Sequence, residues 1–289
     1  MEPDLLTRLE NRFKTMSKGQ KLIARFILSD YDKAAFMTAN KLGERVGVSE
    51  STVVRFADAL GYDGYPYLQK ALQELIRHKL TSVQRMEITS DLSQSQVVSK
   101  VMKSDINNIR DSLEQMDQAA FQGFIEKMLS ADSVYVLGLR SSAPLAQFLA
   151  YYLNFLRPNI RSVNARYSAV LEELVHVNDK DVLVALSFPR YSNTTIEAVR
   201  FVKESGAGVL AITDSGISPI AEYADHVITA KSDMASFVDS MVAPMSLINA
   251  LIVALSLYKK NEVATHLGRL EEIWGRHNVY LKKETELNN

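Results

Sequence analysis

Residues 38–60, TANKLGERVGVSESTVVRFADAL, admit few arrangements other than two short helices joined by a tight turn. Thr38 is placed to cap the first helix, on which Leu42 and Val46 share a face as i, i+4 neighbours. Gly47 stops that helix, because the left-handed position after a helix end favours a residue without a Cβ. Val48 is an apolar plug between packed helices. Ser49 opens the second helix as its N-cap, its hydroxyl accepting an otherwise unpaired backbone N–H. Val53, Phe56 and Leu60 then form an apolar stripe, which leaves Ser51, Thr52 and Arg55 on the opposite, exposed side. This is the helix-turn-helix pattern, in which the start of the second helix meets base edges in the major groove. Short hydroxyls permit close approach to a duplex, and an Arg serves phosphate or guanine.

The rest of the first eighty residues is also helical in period. Ser17 and Gln20 have capping-box spacing, and Leu22, Ile23, Phe26 and Ile27 follow as a helix face. Gly61-Tyr62-Asp63-Gly64-Tyr65-Pro66 reads as a turn, with one more helix through Leu68 and Leu72. Residues 1–80 are thus expected to form an all-α domain. Residues 81–96 gain Ser, Thr and Gln and lose periodicity, as a linker does. A long amphipathic helix is expected from about 97 to 116, through Val98, Val101, Ile106 and Ile109.

From residue 133 the class changes. SVYVLGL, DVLVALS, GVLAITD and HVITA are β-rich, and IRSVNA at 160–165 is a weaker strand. APLAQFLAYYLNFL, TTIEAVRFVKES and ISPIAEYA between them read as helices. Alternation of this kind predicts an α/β fold in which helices cover both faces of a parallel sheet. Ligands bind such sheets at the carboxyl ends of the strands. Two loops there are rich in donors. Gly138-Leu139-Arg140-Ser141-Ser142 offers Ser141 and Ser142 at a helix start. Ser187-Phe188-Pro189-Arg190-Tyr191-Ser192 offers two more hydroxyls and a cation. Gly138, Ser141, Ser142, Ser187, Arg190 and Ser192 are therefore the candidate residues for one anionic metabolite.

Other chemistries find little support. The chain has no cysteine, which excludes thiolate metal sites, disulfides and cysteine nucleophiles and fits a reducing cytoplasm. Its histidines lack metal-ligand spacing, and neither a Walker loop nor a dinucleotide fingerprint occurs, so no cofactor and no metal is expected. Glu172 and Glu173 are the one carboxylate pair that could act as a base on a sugar, and no catalytic set forms around them. The apolar run at 242–257 is interrupted by Pro244, Ser246, Asn249 and Ser256, so it reads as a buried helix and not a membrane span. The net charge is −1, and its distribution leans toward DNA binding by the first part. Residues 1–80 hold 13 Lys and Arg against 10 Asp and Glu, and the remainder holds 20 against 24.

SKGQKLIARFIL and FMTANKLGERVGVSESTVVRFADALGYDGYPYLQKAL resemble the N-terminal domain of RpiR-type bacterial transcriptional regulators, and residues 133–230 resemble the sugar isomerase (SIS) domain that follows it in that family. The resemblance implies an SIS-type α/β/α sandwich over residues 97–289, a homodimer or homotetramer, a double-stranded DNA operator as partner, and a small effector that is usually a phosphorylated sugar. It adds Lys18 and Tyr65 as candidates for contacts to the DNA backbone. One departure stands out. The SIS phosphosugar loop commonly reads S-x-S-G-x-T. This chain has Ser187, then Pro189 at the second Ser, Arg190 at the Gly and Ser192 at the Thr. The runner-up expectation is a sugar-phosphate isomerase with an accessory helical domain.

Overall fold

The computed structural model describes residues 5–76, 82–87, 94–164, 169–234 and 238–281. It divides into two compact units, residues 1–93 and 94–289.

The first unit holds α1 (Leu5–Arg12), α2 (Lys18–Ser29), α3 (Tyr31–Ala34), α4 (Ala39–Val46), α5 (Glu50–Ala59), α6 (Tyr65–Ile76) and α7 (Ser82–Glu87). Ser17 and Gln20 form the reciprocal capping box that starts α2, with Ser17 N–H donating to Gln20 Oε1 at 3.0 Å. Ile23 and Ile27 of α2, Leu42 of α4, Val53 and Phe56 of α5, and Leu68 and Leu72 of α6 are all fully buried. A buried Phe or Leu contributes about 1.5–3 kcal/mol over an exposed one, so this small core depends on each of them. Arg8 and Arg12 of α1 donate to the carbonyls of Leu60 and Ala59, which closes the C-terminal end of α5.

The boundary expected at residue 80 lies outside the described residues, as does 88–93 of the expected linker. Six linker residues are nonetheless helical, as α7. The next helix starts at Gln94, three residues before the expected position.

The second unit holds α8 (Gln94–Glu114), α9 (Gln118–Ser130), β1 (Val134–Gly138), α10 (Ala143–Leu156), β2 (Ile160–Val163), α11 (Val170–Glu173), β3 (Val182–Leu186), α12 (Asn193–Glu204), β4 (Gly208–Thr213), β5 (His226–Thr229), α13 (Val242–Tyr258) and α14 (Lys260–Arg276). All five strands are parallel, in the order β2-β1-β3-β4-β5. Successive side chains point to opposite faces. Val134, Val136, Val182, Val184, Leu210 and Ile212 pack with α9, α10 and α13. Tyr135, Leu137, Leu183, Ala185, Val209 and Ala211 pack against α11 and α12. Burial on both faces is why the three central strands read as unbroken apolar runs.

One sequence expectation needs adjustment and another holds. ISPIAEYA does not form an α-helix. Only a 3-10 turn, Ala221–Tyr223, is present, because the connection from β4 to β5 is short and contains Pro219, and the fully buried Ile220 anchors it instead. The apolar segment at 242–257 is α13, which buries Ala243, Pro244, Leu247, Ile248, Leu251 and Leu255. Among the described residues no single helix is long and apolar enough to cross a membrane.

Helix α8 is amphipathic with its faces reversed. Its inward side is polar. Asn108 Nδ2 donates to Asp233 O at 3.1 Å, Lys231 N–H donates to Ser112 Oγ at 2.8 Å, and Ser240 Oγ donates to Asp105. Its outward side carries Val98, Met102, Ile106 and Leu113, with Val98 67% and Leu113 72% exposed.

Candidate functional site

The recognition helix is assembled from short local bonds. Thr38 Oγ1 accepts from Lys41 N–H at 3.2 Å and starts α4. Gly47 adopts φ 76°, ψ 38° and ends it. The turn that follows runs so close to α4 that a Cβ on Gly43 would lie 2.7 Å from the Val48 carbonyl oxygen. Gly43 is therefore a requirement of the turn that sequence reasoning passed over, and its signal was a glycine inside an otherwise regular helix. Ser49 Oγ accepts from Thr52 N–H at 3.3 Å and lies 2.9 Å from both Ser51 Oγ and Thr52 Oγ1. Arg55 Nε donates to Ser51 O at 3.2 Å, which lays the guanidinium along the exposed first turn of α5. Ser49, Ser51 and Arg55 are exposed and Thr52 is half-buried. Lys18 is exposed in the first turn of α2, and its neighbour Gly19 lies against Thr52, where a Cβ would meet Thr52 Cγ2 at 3.3 Å. Lys18, Ser49, Ser51, Thr52 and Arg55 thus belong to one neighbourhood.

Tyr65 does not belong to it. Its side chain is 4% exposed, and its hydroxyl donates to Met37 O at 2.7 Å. Burial pushes its pKa up to about 12, so it stays a neutral donor. Together with Gln69, which donates to the same carbonyl at 2.9 Å, it fastens α6 to the segment before α4. The expected phosphate contact is replaced by a structural bond, because the Gly61–Pro66 turn aims this ring inward.

In the second unit the strand order reverses between β1 and β3. Gly138 and Leu186, the last residues of those strands, are directly paired, so the loops 139–142 and 187–192 leave the sheet side by side. A reversal of this kind opens a crevice at the carboxyl edge. Ser142 and Ser187 are each 4% exposed, and Ser141 and Arg190 are exposed. Ser142 and Ser192 stand at the N-cap positions of α10 and α12, yet neither side chain makes a capping bond. Tyr191 Oη donates to Asp214 Oδ1 at 2.7 Å, and Thr213 Oγ1 donates to the same oxygen at 3.3 Å, which ties the β3 loop to the end of β4. Gly138 has a packing role. A Cβ there would lie 2.6 Å from Ser142 O and 2.7 Å from Ala146 Cβ, so the missing side chain lets α10 sit on the strand end. Glu172 and Glu173 accept from the backbone N–H groups of Ala169 and Asn164, at 3.2 and 3.3 Å, and support their own turn. Among the described residues no three His, Asp or Glu side chains converge as a metal site.

Two family profiles match this chain, the helix-turn-helix domain of the rpiR family over residues 3–79 and the SIS domain over residues 127–254. The chain belongs to the RpiR family. The HTH-type transcriptional regulator HexR of Pseudomonas aeruginosa is 22% identical over 275 residues, 93% of this chain and 95% of that one. The sugar isomerase domain of an RpiR transcription factor from Sphaerobacter thermophilus superposes with a TM-score of 0.59 at 28% identity, over 61% of this chain and 99% of that chain. NanR of Vibrio vulnificus, solved as a complex with ManNAc-6P, gives 0.56 at 20% identity over 94% and 98% of the two chains, a likeness of fold.

Within the RpiR pattern the departure at Arg190 now has a backbone explanation. Arg190 has φ 61°, the left-handed region that a glycine occupies without cost. At the position of the motif's glycine this loop sets a cation on a backbone that suits glycine. Arg140, which sequence reasoning did not single out, has φ 54° in the neighbouring loop. No sequence pattern signalled it, since a left-handed φ shows only in the folded backbone.

Proposed function

We propose that this protein is a DNA-binding transcriptional regulator of the RpiR family whose SIS domain, residues 97–289, senses a small anionic, sugar-like metabolite. The observation that supports DNA reading most directly is α5. It buries Val53, Phe56 and Leu60 and presents Ser51, Thr52 and Arg55 at its exposed start, with Lys18 beside them for a phosphate. Sensing rests on the paired loops of the switch point. There Ser141, Ser142, Ser187, Arg190 and Ser192 offer hydroxyls and a cation to an anion, and NanR, the fold's relative, is known as a complex with ManNAc-6P. HexR and the other curated relatives of similar sequence are named transcriptional regulators, and the helical domain, which matches the rpiR-family profile, supports regulation over isomerisation. Such a regulator works in the cytoplasm, where its operator is.

A single recognition helix covers only a few base pairs, so operators are read by symmetric pairs. Helix α8 offers the surface for the second copy. A stripe of Val98, Met102, Ile106 and Leu113 faces outward while its polar side is already bonded inward. An apolar face of that kind is stable in water only when covered.

The test is a mobility-shift assay with duplexes selected from a random library. Parent protein should bind in a salt-sensitive manner. Arg55→Ala should cost about 1–3 kcal/mol of operator affinity if Arg55 reads a base bidentately. Unchanged affinity in that variant at physiological salt removes α5 as the reading element.

A further inference from the structure

Helix α5 exposes Glu50, Ser51, Val54, Arg55 and Asp58. Val54 is the one apolar side chain of this set, and it is 37% exposed. Folding does not call for it. The core side of the helix is filled by Val53, Phe56 and Ala57, each fully buried. Valine is also a poorer helix former than alanine, lysine or glutamate, the residues that suit a solvated position. The neighbouring side chains leave it open. Arg55 donates from Nε to Ser51 O and from Nη2 to Ser51 Oγ, at 3.2 and 3.4 Å, which draws the guanidinium back toward the start of the helix. The methyl of Thr52 is turned the other way, against Gly19. Residues three and four apart share a helix face, so Val54 stands on the face of Ser51, beside Arg55.

We propose that Val54 is a specificity residue that packs on the 5-methyl group of a thymine in the operator, beside the contact made by Arg55. The proposal rests on α5 as the DNA-reading helix and adds one base of the sequence it reads. The major groove presents hydrogen-bonding edges at every base pair and a single kind of apolar group, the thymine methyl. An apolar side chain on the reading face has that group as its match. Cytosine at the same place offers an amino group and no methyl, so the contact discriminates between the two pyrimidines. Branching at Cβ holds valine in one rotamer within a helix. Its methyls are therefore fixed before DNA arrives, and little side-chain entropy is lost on contact. The rise from Val54 to Arg55 is about 1.5 Å, less than the roughly 3.4 Å of one base step, so the two side chains bear on the same or adjacent base pairs.

The test uses the full chain and a duplex selected from a random library. Each thymine of the selected site is replaced in turn by deoxyuridine, which lacks only the 5-methyl group, and Kd is measured for the parent and for Val54→Ala. In the parent, one position in each half-site should lose about fourfold in affinity, the effect of one buried methyl. In Val54→Ala the penalty at that position should vanish while those at other positions stay. Val54→Thr, which keeps the shape and one methyl, should retain part of it. Thymine and uracil are compared within one variant, so a change in its stability cancels. Alanine is the better helix former at an exposed position, and a melting temperature no lower than the parent's confirms an intact α5. A selected site without an invariant thymine, or a uracil penalty of the same size in Val54→Ala, overturns the assignment and leaves DNA reading by α5 in place. A parent that selects no duplex overturns both. A lower molar mass for Val54→Ala in light scattering gives the valine to a second copy of the chain and overturns the base contact.

Discussion

Serine and threonine open helices in both units of this protein and are used in opposite ways. In the helical unit Ser17, Thr38 and Ser49 each accept the N–H three residues on. All three have extended backbones, with ψ of 166°, 161° and 153°, which aims the hydroxyl over the first turn. In the SIS unit Ser142 enters α10 from a 3-10 turn and is already helical, with φ −83° and ψ −12°, so its hydroxyl is carried away from the cap position. Ser192 is extended, at ψ 126°, and still caps nothing. A helix-start hydroxyl is therefore not a cap by residue type alone. The small helical unit uses these three for its own stability. The large sheet, stabilised by two apolar layers, leaves them to the crevice.

Substitutions sharpen this contrast. The largest effect belongs to Gly43→Ala, whose new Cβ must move a backbone carbonyl that lies 2.7 Å away. It should destabilise the helical unit by about 3 kcal/mol, the upper end for overpacking, and abolish operator binding. Differential scanning calorimetry should show the transition of the SIS unit unmoved, and a joint shift would mean that the two units do not unfold separately. Next come paired serine variants. Ser49→Ala should cost about 1 kcal/mol through loss of its cap. Ser142→Ala should leave stability within about 0.5 kcal/mol and weaken effector binding instead. Equal losses of stability in chemical denaturation would break the contrast.

The smallest effect is a pH dependence confined to the sheet unit. Burial pushes the Asp225 carboxyl up, but its bond from Lys203, the Val209 N–H at 2.8 Å and the charges of Lys203 and Lys127 outweigh burial and hold its pKa below the ordinary value. The folded state thus favours the anion. The contribution is complete above the unfolded value, about 3.9 for Asp, and is lost as pH falls through the folded one. Asp225→Asn should lower the melting temperature slightly at neutral pH, and the difference from the parent should vanish in acid. A difference that persists below the folded pKa would assign it to packing.

Much of this was legible in the residues. The central strands announced themselves because burial on both faces demands unbroken apolar runs. The turn between α4 and α5 announced itself through Gly47 and Ser49. What stayed hidden depends on the backbone or on direction. Tyr65 looked like a surface aromatic in a glycine-rich turn, and only the fold shows its ring turned toward Met37. Helix α8 shows two faces in sequence, but nothing in its period says that the polar one faces inward. Gly138 looked like part of an anion loop and proved to be the place where α10 rests. ISPIAEYA has helical composition, yet tertiary confinement between two adjacent strands left room for one turn. Arg140 carried no pattern, since its distinguishing property is a dihedral angle.

That angle has a consequence for how such a chain changes over generations. In the genetic code every arginine codon of the CGN or AGA/AGG type is one nucleotide from a glycine codon. At φ 54° and 61° glycine is also the residue the backbone prefers. Relief is thus the shortest mutational step open to both positions, and drift alone would take it. At both places one nucleotide change would relax the backbone and remove the cation together, so charge and folding pull in opposite directions there.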